Sequence, residues 1–332
     1  MRRFIVAVTI ASLAMACSDD ATTDPDAAGD SSDAAAPADA YTGDACADCP
    51  DTPRFVGSWG GRGTEPGQFI EPSSVEIRSD DIVIVAGHEN RVQLFTPDGE
   101  LFDIFGTAGP GDGQFNHPHG LAVDRDRDDI IYVGDQENHR LQVFDMDGVF
   151  IRQWGDAEFQ HIHDVGIDRA SGDIFVGDYE LDQLRKFSAT GELLGTFGGT
   201  GALPGQFNGI WGVSTDSAGF VYVGDTFNRR VQKLDRDGAF VEEWTSFGGE
   251  PFSKPTGVYV DANDIVYVCD SLAEIVALFD TDGTLLTVWN IREIYGERSE
   301  PEDIVIDTES GHIYIGEVFG HRVLHLFLDG AP

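Results

Sequence analysis

Basic residues are scarce in this chain of 332 residues: 21 Lys and Arg stand against 59 Asp and Glu, a formal net charge of -38. Phosphate binding rests on Lys and Arg neutralising backbone charge, so DNA, RNA and anionic membrane surfaces are disfavoured as partners. Such an excess fits a soluble, self-repelling surface, a saline habitat or weak capture of cations. Cysteine is rarer still, with four in all, and no second C-x-x-C is present to complete a zinc site. No apolar run is long enough to span a bilayer as a permanent helix. Helical periodicity is missing after residue 53. What is abundant is 40 Gly and 14 Pro among many Val, Ile, Phe and Tyr, the composition of short strands joined by turns.

The N-terminus reads as an export signal. Arg2 and Arg3 form a charged start, and Phe4 to Ala16 is a short apolar run. It ends Leu13-Ala14-Met15-Ala16-Cys17, which resembles a bacterial lipobox with its leucine one place early; Ala14-x-Ala16 also suits ordinary signal peptidase. The expectation is a leader over residues 1–17, acylation of Cys17, and an exported protein lipid-anchored in the bacterial envelope, at the outer membrane, periplasmic or surface-facing. Membrane contact is then through the anchor only. Residues 18–53 contain no basic residue and little to bury, which predicts a disordered acidic tether. Cys46 and Cys49 form a C-x-x-C within it. A redox or metal pair is one reading, but no βαβ pattern surrounds it, and a local disulfide in an oxidising compartment is favoured. Cys269 lies in an apolar strand and reads as simply buried.

From residue 54 the chain repeats itself. One unit runs from Gly113-Gln114-Phe115 through Pro118-His119-Gly120-Leu121-Ala122-Val123-Asp124, then Ile131 to Asp135, Arg140 to Phe144, and Phe150 to Gly155. Its Gly-Asp step returns at Asp178, Asp225 and Asp270, with Glu317 in the last copy and Gly87 in the first, 43 to 48 residues apart. Six copies of four short strands result, and a repeat of this length predicts a propeller closed around an axis. D-x-D-G sequences at Asp145, Asp235 and Asp280 lack the later ligands of a calcium loop and read as hairpin turns. The sixth copy stops at Leu326 to Gly330 without a fourth strand, while a stray fourth strand, Phe55 to Gly60, precedes the first. The N-terminal strand is therefore expected to complete the last blade and remove two open edges. The predicted fold is an all-β, six-bladed propeller over residues 54–332.

At these residues the chain resembles the NHL repeat: G-Q-F-x-x-P-x-G, then V-D, then I-Y-V-x-D-x-x-N-x-R-[VL]-Q-x-F. The resemblance covers residues 54–330. It implies a protein-binding or RNA-binding module, a ubiquitin-ligase part, or a lyase like that of the peptide-amidating enzyme. No RING-like Cys/His framework supports a ligase, and an acidic chain does not suit RNA.

Residues that recur in every blade read as structural, so Asp135, Asp178, Asp225 and Asp270, with Arg140 and Arg230, are expected to cap loops and pair blades. The segments entering each blade break the repeat and should meet around the axis. They read Glu71-Pro72-Ser73, His117-Pro118-His119, His161-Ile162-His163, Gly209-Ile210-Trp211, Lys254-Pro255-Thr256 and Glu300-Pro301-Glu302. Glu71, Ser73, Trp211, Lys254, Thr256 and Glu300 are the expected ligand-binding face. Trp211 can stack on a ligand or plug the axis. Residues two apart on a strand point the same way, so His117, His119, His161 and His163 are expected to converge, with Glu302 or Glu71 completing a site for zinc or another divalent transition metal. The resemblance to the amidating lyase implies a catalytic zinc held by three histidines at blade entrances. His119 in Pro118-His119-Gly120 matches that motif, His163 matches it without the proline, and no third histidine is present. Tyr179 is the nearby tyrosine for such chemistry, and Glu302 the candidate base. The leading expectation is a monomeric, non-enzymatic module binding a peptide, protein or glycan; a metal-dependent lyase or hydrolase is the alternative.

Overall fold

The computed structural model describes residues 51–155 and 159–329. The expected leader with Cys17, and the tether with Cys46 and Cys49 up to residue 50, lie outside the described residues. Within them six four-stranded antiparallel sheets follow one another in sequence, so the protein is a six-bladed β-propeller. The inner strands are Pro72–Ile77, Pro118–Asp124, Ile162–Asp168, Ile210–Thr215, Pro255–Val260 and Pro301–Ile306. Each packs against the inner strands of both neighbouring blades, and the last packs against the first, which closes the circuit.

Ring closure uses the stray strand as its sequence requires. Arg54–Gly60 pairs antiparallel with Arg322–Phe327, setting Phe55 opposite Leu326 and Trp59 opposite Val323. The pairing hides two strand edges that would otherwise stand open. Trp59 then lies against Phe95 of the first blade and Tyr314 of the sixth, at 5.8 and 5.7 Å between ring centres.

The core lies between the blades. Second strands such as Val83–Gly87 and Val266–Asp270 are buried along their whole length, which is why they read as continuous apolar runs. The side chains of one blade, Ile84, Val92 and Leu94, interlock with Leu121, Ile131 and Val133 of the next. A phenylalanine from each Gln-Phe step fills the gap, and Phe69, Phe115 and Phe207 have no exposed area. The same rings explain the Trp-Gly and Phe-Gly steps. A Cβ on Gly60 would stand 2.7 Å from the Phe69 ring, and one on Gly106 would stand 2.3 Å from Phe115, both with positive φ.

The D-x-D-G sequences are turns. Asp145 Oδ1 accepts the N–H groups of Asp147 and Val149, and Gly148 sits at φ 72°. Asp235 and Asp280 repeat the arrangement. Cys269 is buried and free. No helix among the described residues is long and apolar enough to cross a membrane.

Candidate functional site

The face at which the inner strands begin is built by the recurring acids. Pro118 pairs with Asp135 and Ile162 with Asp178, so each entering segment meets the end of its own second strand. The Asp carboxylate folds back over that junction and accepts the entering N–H groups: Asn116 to Asp135 at 2.7 Å, Asn208 to Asp225 at 2.7 Å, and Ser253 and Lys254 to Asp270 at 2.6 and 2.9 Å. Arg140 and Arg230 hold Asp135 and Asp225 at 2.7 Å. The loop-capping expectation is met. The pairing is within a blade and not between blades, because Arg140 is the direct cross-strand partner of Asp135. In the first blade Gly87 replaces the Asp, and Glu89 supplies the carboxylate, accepting from Ile70 N at 3.1 Å. A Cβ at residue 87 would lie 2.7 Å from that carboxylate, so the substitution is a matched pair. Burial pushes the Glu89 carboxyl up to about 7.

Around the axis the entering residues are stitched into a girdle. His119 Nδ1 lies 2.8 Å from the carbonyl of His163, and His163 Nδ1 lies 3.1 Å from that of Trp211. A carbonyl only accepts, so each Nδ1 carries the proton and donates. Thr226 donates to Pro255 O at 2.6 Å, and Thr256 to Pro301 O at 3.1 Å. Ser74 donates to Asp303 and accepts from Leu121 N, which completes the circuit through all six blades. Trp211 also donates its indole N–H across the mouth to Glu302, and the Lys254 ammonium sits 4.1 Å from the centre of the Trp211 ring. Gly120 has positive φ, and a Cβ there would meet the backbone of Asp164 at 2.7 Å, so the close approach of adjacent blades requires it.

Ser73, His119, His163, Trp211 and Glu302 line one cavity of about 10 Å³, with Asp164, Gly257 and Asp303 beneath. That space holds at most one water. Below it the channel widens to a cavity of about 50 Å³, enough for a few waters, lined by Glu76, Arg169 and Tyr259 among others. His119 and His163 are held well below the usual imidazole range, first by burial and then by neighbouring imidazoles: His88 for His119, and His119 for His163. Both are neutral near neutral pH. Asp164 and Asp303 are pushed up, chiefly by burial, and Asp164 further by Asp303. Burial likewise raises Glu76 to about 7; its accessible area faces the channel and not bulk water.

The four histidines divide into an inner and an outer pair. His119 and His163 converge, with ring centres 3.9 Å apart. His117 and His161 precede their strands, and His117 has φ 54°, so strand alternation does not govern them. His117 stacks on His88 at 4.8 Å, while His161 lies 3.3 Å from Gln136 and 3.5 Å from Glu137. Glu71 faces His88 at 3.4 Å. The donor set does not fit a transition metal. The Nε2 of His163 is buried without a hydrogen-bond partner, but Glu302 accepts from Trp211, and among the described residues no group of three His, Cys, Asp or Glu is placed to hold an ion.

Of the expected ligand face, Ser73 and Thr256 are buried and bonded to carbonyls, and Trp211 is 7% exposed. They form the frame. Lys254, Glu300 and Glu71 keep accessible area, and Tyr179 packs 5.6 Å from both His163 and Trp211. Sequence reasoning missed Asp164 and Asp303. They stand where Gly120, Gly212 and Gly257 stand in other blades, and that departure from the repeat was the available signal.

An NHL repeat model matches residues 115–144. The protein brain tumor of Drosophila melanogaster is 36% identical over 94 residues, covering 28% of this chain and 9% of that protein. NHL repeat-containing protein 3 of Homo sapiens is 32% identical over 111 residues, covering 31% of each. The chain thus spans less than a third of these relatives. Among solved structures it is similar to a streptogramin B lyase, with TM-score 0.58, 13% identity and coverage of 83% of this chain and 98% of that one. It is also similar to a catalytically inactive variant of virginiamycin B lyase from Staphylococcus aureus with quinupristin, with TM-score 0.56, 12% identity and coverage of 76% and 79%. At such identity the likeness is one of fold. With the repeat, the blade count and these likenesses together, the chain is an NHL-repeat β-propeller.

Proposed function

We propose that the protein is a recognition module, lipid-anchored through Cys17 in a bacterial envelope, that binds a peptide or protein on the face where the inner strands begin. The observation that carries this reading is the filled mouth. His119, His163, Trp211 and Glu302 close the axis over a space of about 10 Å³, so a ligand meets side chains on a rigid rim and not a substrate-sized cavity. Tyr179 and Lys254 stand beside that plug with accessible area, an aromatic and a cation of the kind that anchor interfaces. The metal-dependent alternative draws on the neutral inner histidines but lacks a third ligand among the described residues.

The test is selection of linear peptides from an unbiased display library on the purified protein. Enriched sequences are expected to lose binding to Tyr179→Ser and Lys254→Glu, and to retain it with Phe102→Ser on an outer strand. Enrichment indifferent to Tyr179 and Lys254, or no enrichment, would overturn the reading. The anchor is tested separately, because Cys17→Ser should move the protein from the membrane fraction to the soluble one.

A further inference from the structure

Two residues past the end of each second strand, equivalent positions change character around the ring. The fourth, fifth and sixth blades present Phe227, Leu272 and Phe319, which are 53%, 53% and 50% exposed. The second and third blades present Glu137 and Glu180, both exposed, while the first turns Glu89 inward as a cap. Asp225, Asp270 and Glu317 pair with the first residues of their inner strands, as do Asp135 and Asp178, so all these positions share the entering face. None of the three apolar side chains belongs to a core cluster between blades. Phe227 touches Tyr179 at 6.0 Å, which carries the arc to the third blade, and Arg298 lies 4.6 Å from the Phe319 ring.

Folding gives no reason to expose three large apolar groups at one repeat position on consecutive blades, since each would be more stable covered. The opposite part of the rim carries carboxylates. Glu137 lies 3.5 Å from the His161 ring, and Glu180 makes no ion pair among the described residues. With a net charge of -38, the chain attracts cations from a distance and repels a second copy of itself or an anionic lipid surface. We infer that this face takes a peptide segment whose apolar residues lie on the Phe227–Leu272–Phe319 arc and whose basic residues meet Glu137 and Glu180. The inference rests on the recognition reading and names the ligand's chemistry.

The experiment uses a short fluorescein-labelled peptide with a Lys block joined to a Leu/Phe block, measured by anisotropy against the full chain. Binding is expected to weaken about tenfold or more in Phe227→Ser/Leu272→Ser/Phe319→Ser, the loss expected of anchor side chains. Glu137→Lys/Glu180→Lys should weaken it and flatten its salt dependence. Unchanged melting temperatures would show that these surface variants fold, and the single Phe319→Ser should show a smaller loss in the same direction. Equal binding of a peptide with Glu in place of Lys, or of one with Ser in place of Leu and Phe, would overturn the inference. So would equal binding to both multiple variants. If display selection yields Tyr179-dependent peptides of another composition, the recognition reading stands and this one falls; if it yields none, both fall.

Discussion

Trp211 of the fourth blade donates its indole N–H to the Glu302 carboxylate of the sixth, and this bond ties together two blades that are not neighbours in the ring. Both residues are buried, so each loses water when the mouth forms and is compensated by the other. Trp211→Phe should lower stability by about 1–3 kcal/mol, as expected for a charge-assisted buried bond that loses a partner, and Glu302→Gln, which keeps an acceptor oxygen for the indole N–H, should cost less. Their double variant should cost less than the sum. Urea unfolding of the four proteins gives the coupling energy, and strict additivity would show that the bond does not form.

The histidine pair leads to a prediction about metal. His119 and His163 each donate Nδ1 to a carbonyl, which leaves their Nε2 atoms as the only ring donors for a metal, and the carboxylate that would join them already holds Trp211. Protein equilibrated with zinc and then desalted should retain well under one equivalent by mass spectrometry. His119→Ala/His163→Ala should leave that amount unchanged. Stoichiometric zinc that vanishes in the double variant would restore the metal-dependent reading. The same variant breaks two bonds of the girdle, so a loss of stability of about 2 kcal/mol or more is expected in any case.

The architecture was legible because a propeller writes its geometry in the sequence many times over. Six copies of one string exposed the frame, and the unpaired strand around Trp59 announced how the ring closes. The site was less so. Alternation along a strand predicted that His117 would join His119, but His117 lies before the strand begins and in a left-handed backbone. Whether Trp211 blocks or serves the mouth depended on a bond to Glu302, 91 residues away, which no local pattern reports. Phe227, Leu272 and Phe319 share a repeat position with Glu137 and Glu180, but no sequence pattern reports their exposure, which depends on how the neighbouring blade is placed.

Ring closure should be costly to undo. Trp59 bridges the first and sixth blades and fills the space over Gly99, where a Cβ would lie 2.6 Å from its ring. Trp59→Ala should lower stability by about 2–4 kcal/mol, at the lower end of aromatic truncations because the ring is partly exposed. Limited proteolysis should then cut first between residues 60 and 72. Preferential cutting within another blade would place the weakest seam elsewhere.

Asp164 and Asp303 give the channel an alkaline weakness. Their carboxyls are pushed up by burial, and that of Asp164 further by Asp303, so the folded protein keeps protons that the unfolded chain releases above its ordinary carboxylate range. The stability they contribute is intact below that range and is lost as pH rises through the folded values. Asp303→Asn should therefore gain on the wild type as pH increases from 5 to 8. Asp303 Oδ2 accepts from both Val75 N and Ser74 Oγ, and the amide oxygen of Asn can take that place. Thermal melts across that range test the sign of the trend, and a variant that falls further behind at pH 8 would contradict it.

The closing seam has the opposite dependence. His325 is buried on the third strand of the sixth blade, its Nε2 2.6 Å from His312 Nδ1 and its ring 4.8 Å from Tyr314. Burial first, and then the adjacent His312, lower the His325 imidazole to about 4. A depressed histidine means that the unfolded chain binds the proton more readily, so stability is intact above the ordinary value near 6.5 and is lost as pH falls towards 4. The full loss is on the order of 3 kcal/mol, since a tenfold difference in proton affinity between the folded and unfolded chain is worth about 1.4 kcal/mol. His325 lies on the strand that receives Arg54–Gly60, with Leu324 opposite Ser58 and His325 itself opposite Gly57, so acid should loosen that pairing before the rest of the ring. Hydrogen exchange at pH 5 and pH 7 should show faster exchange in residues 54–60 at the lower pH, once the intrinsic pH dependence of exchange is divided out. His325→Gln carries no such proton and should abolish the difference. Equal acceleration in the variant would assign the acid sensitivity to other groups.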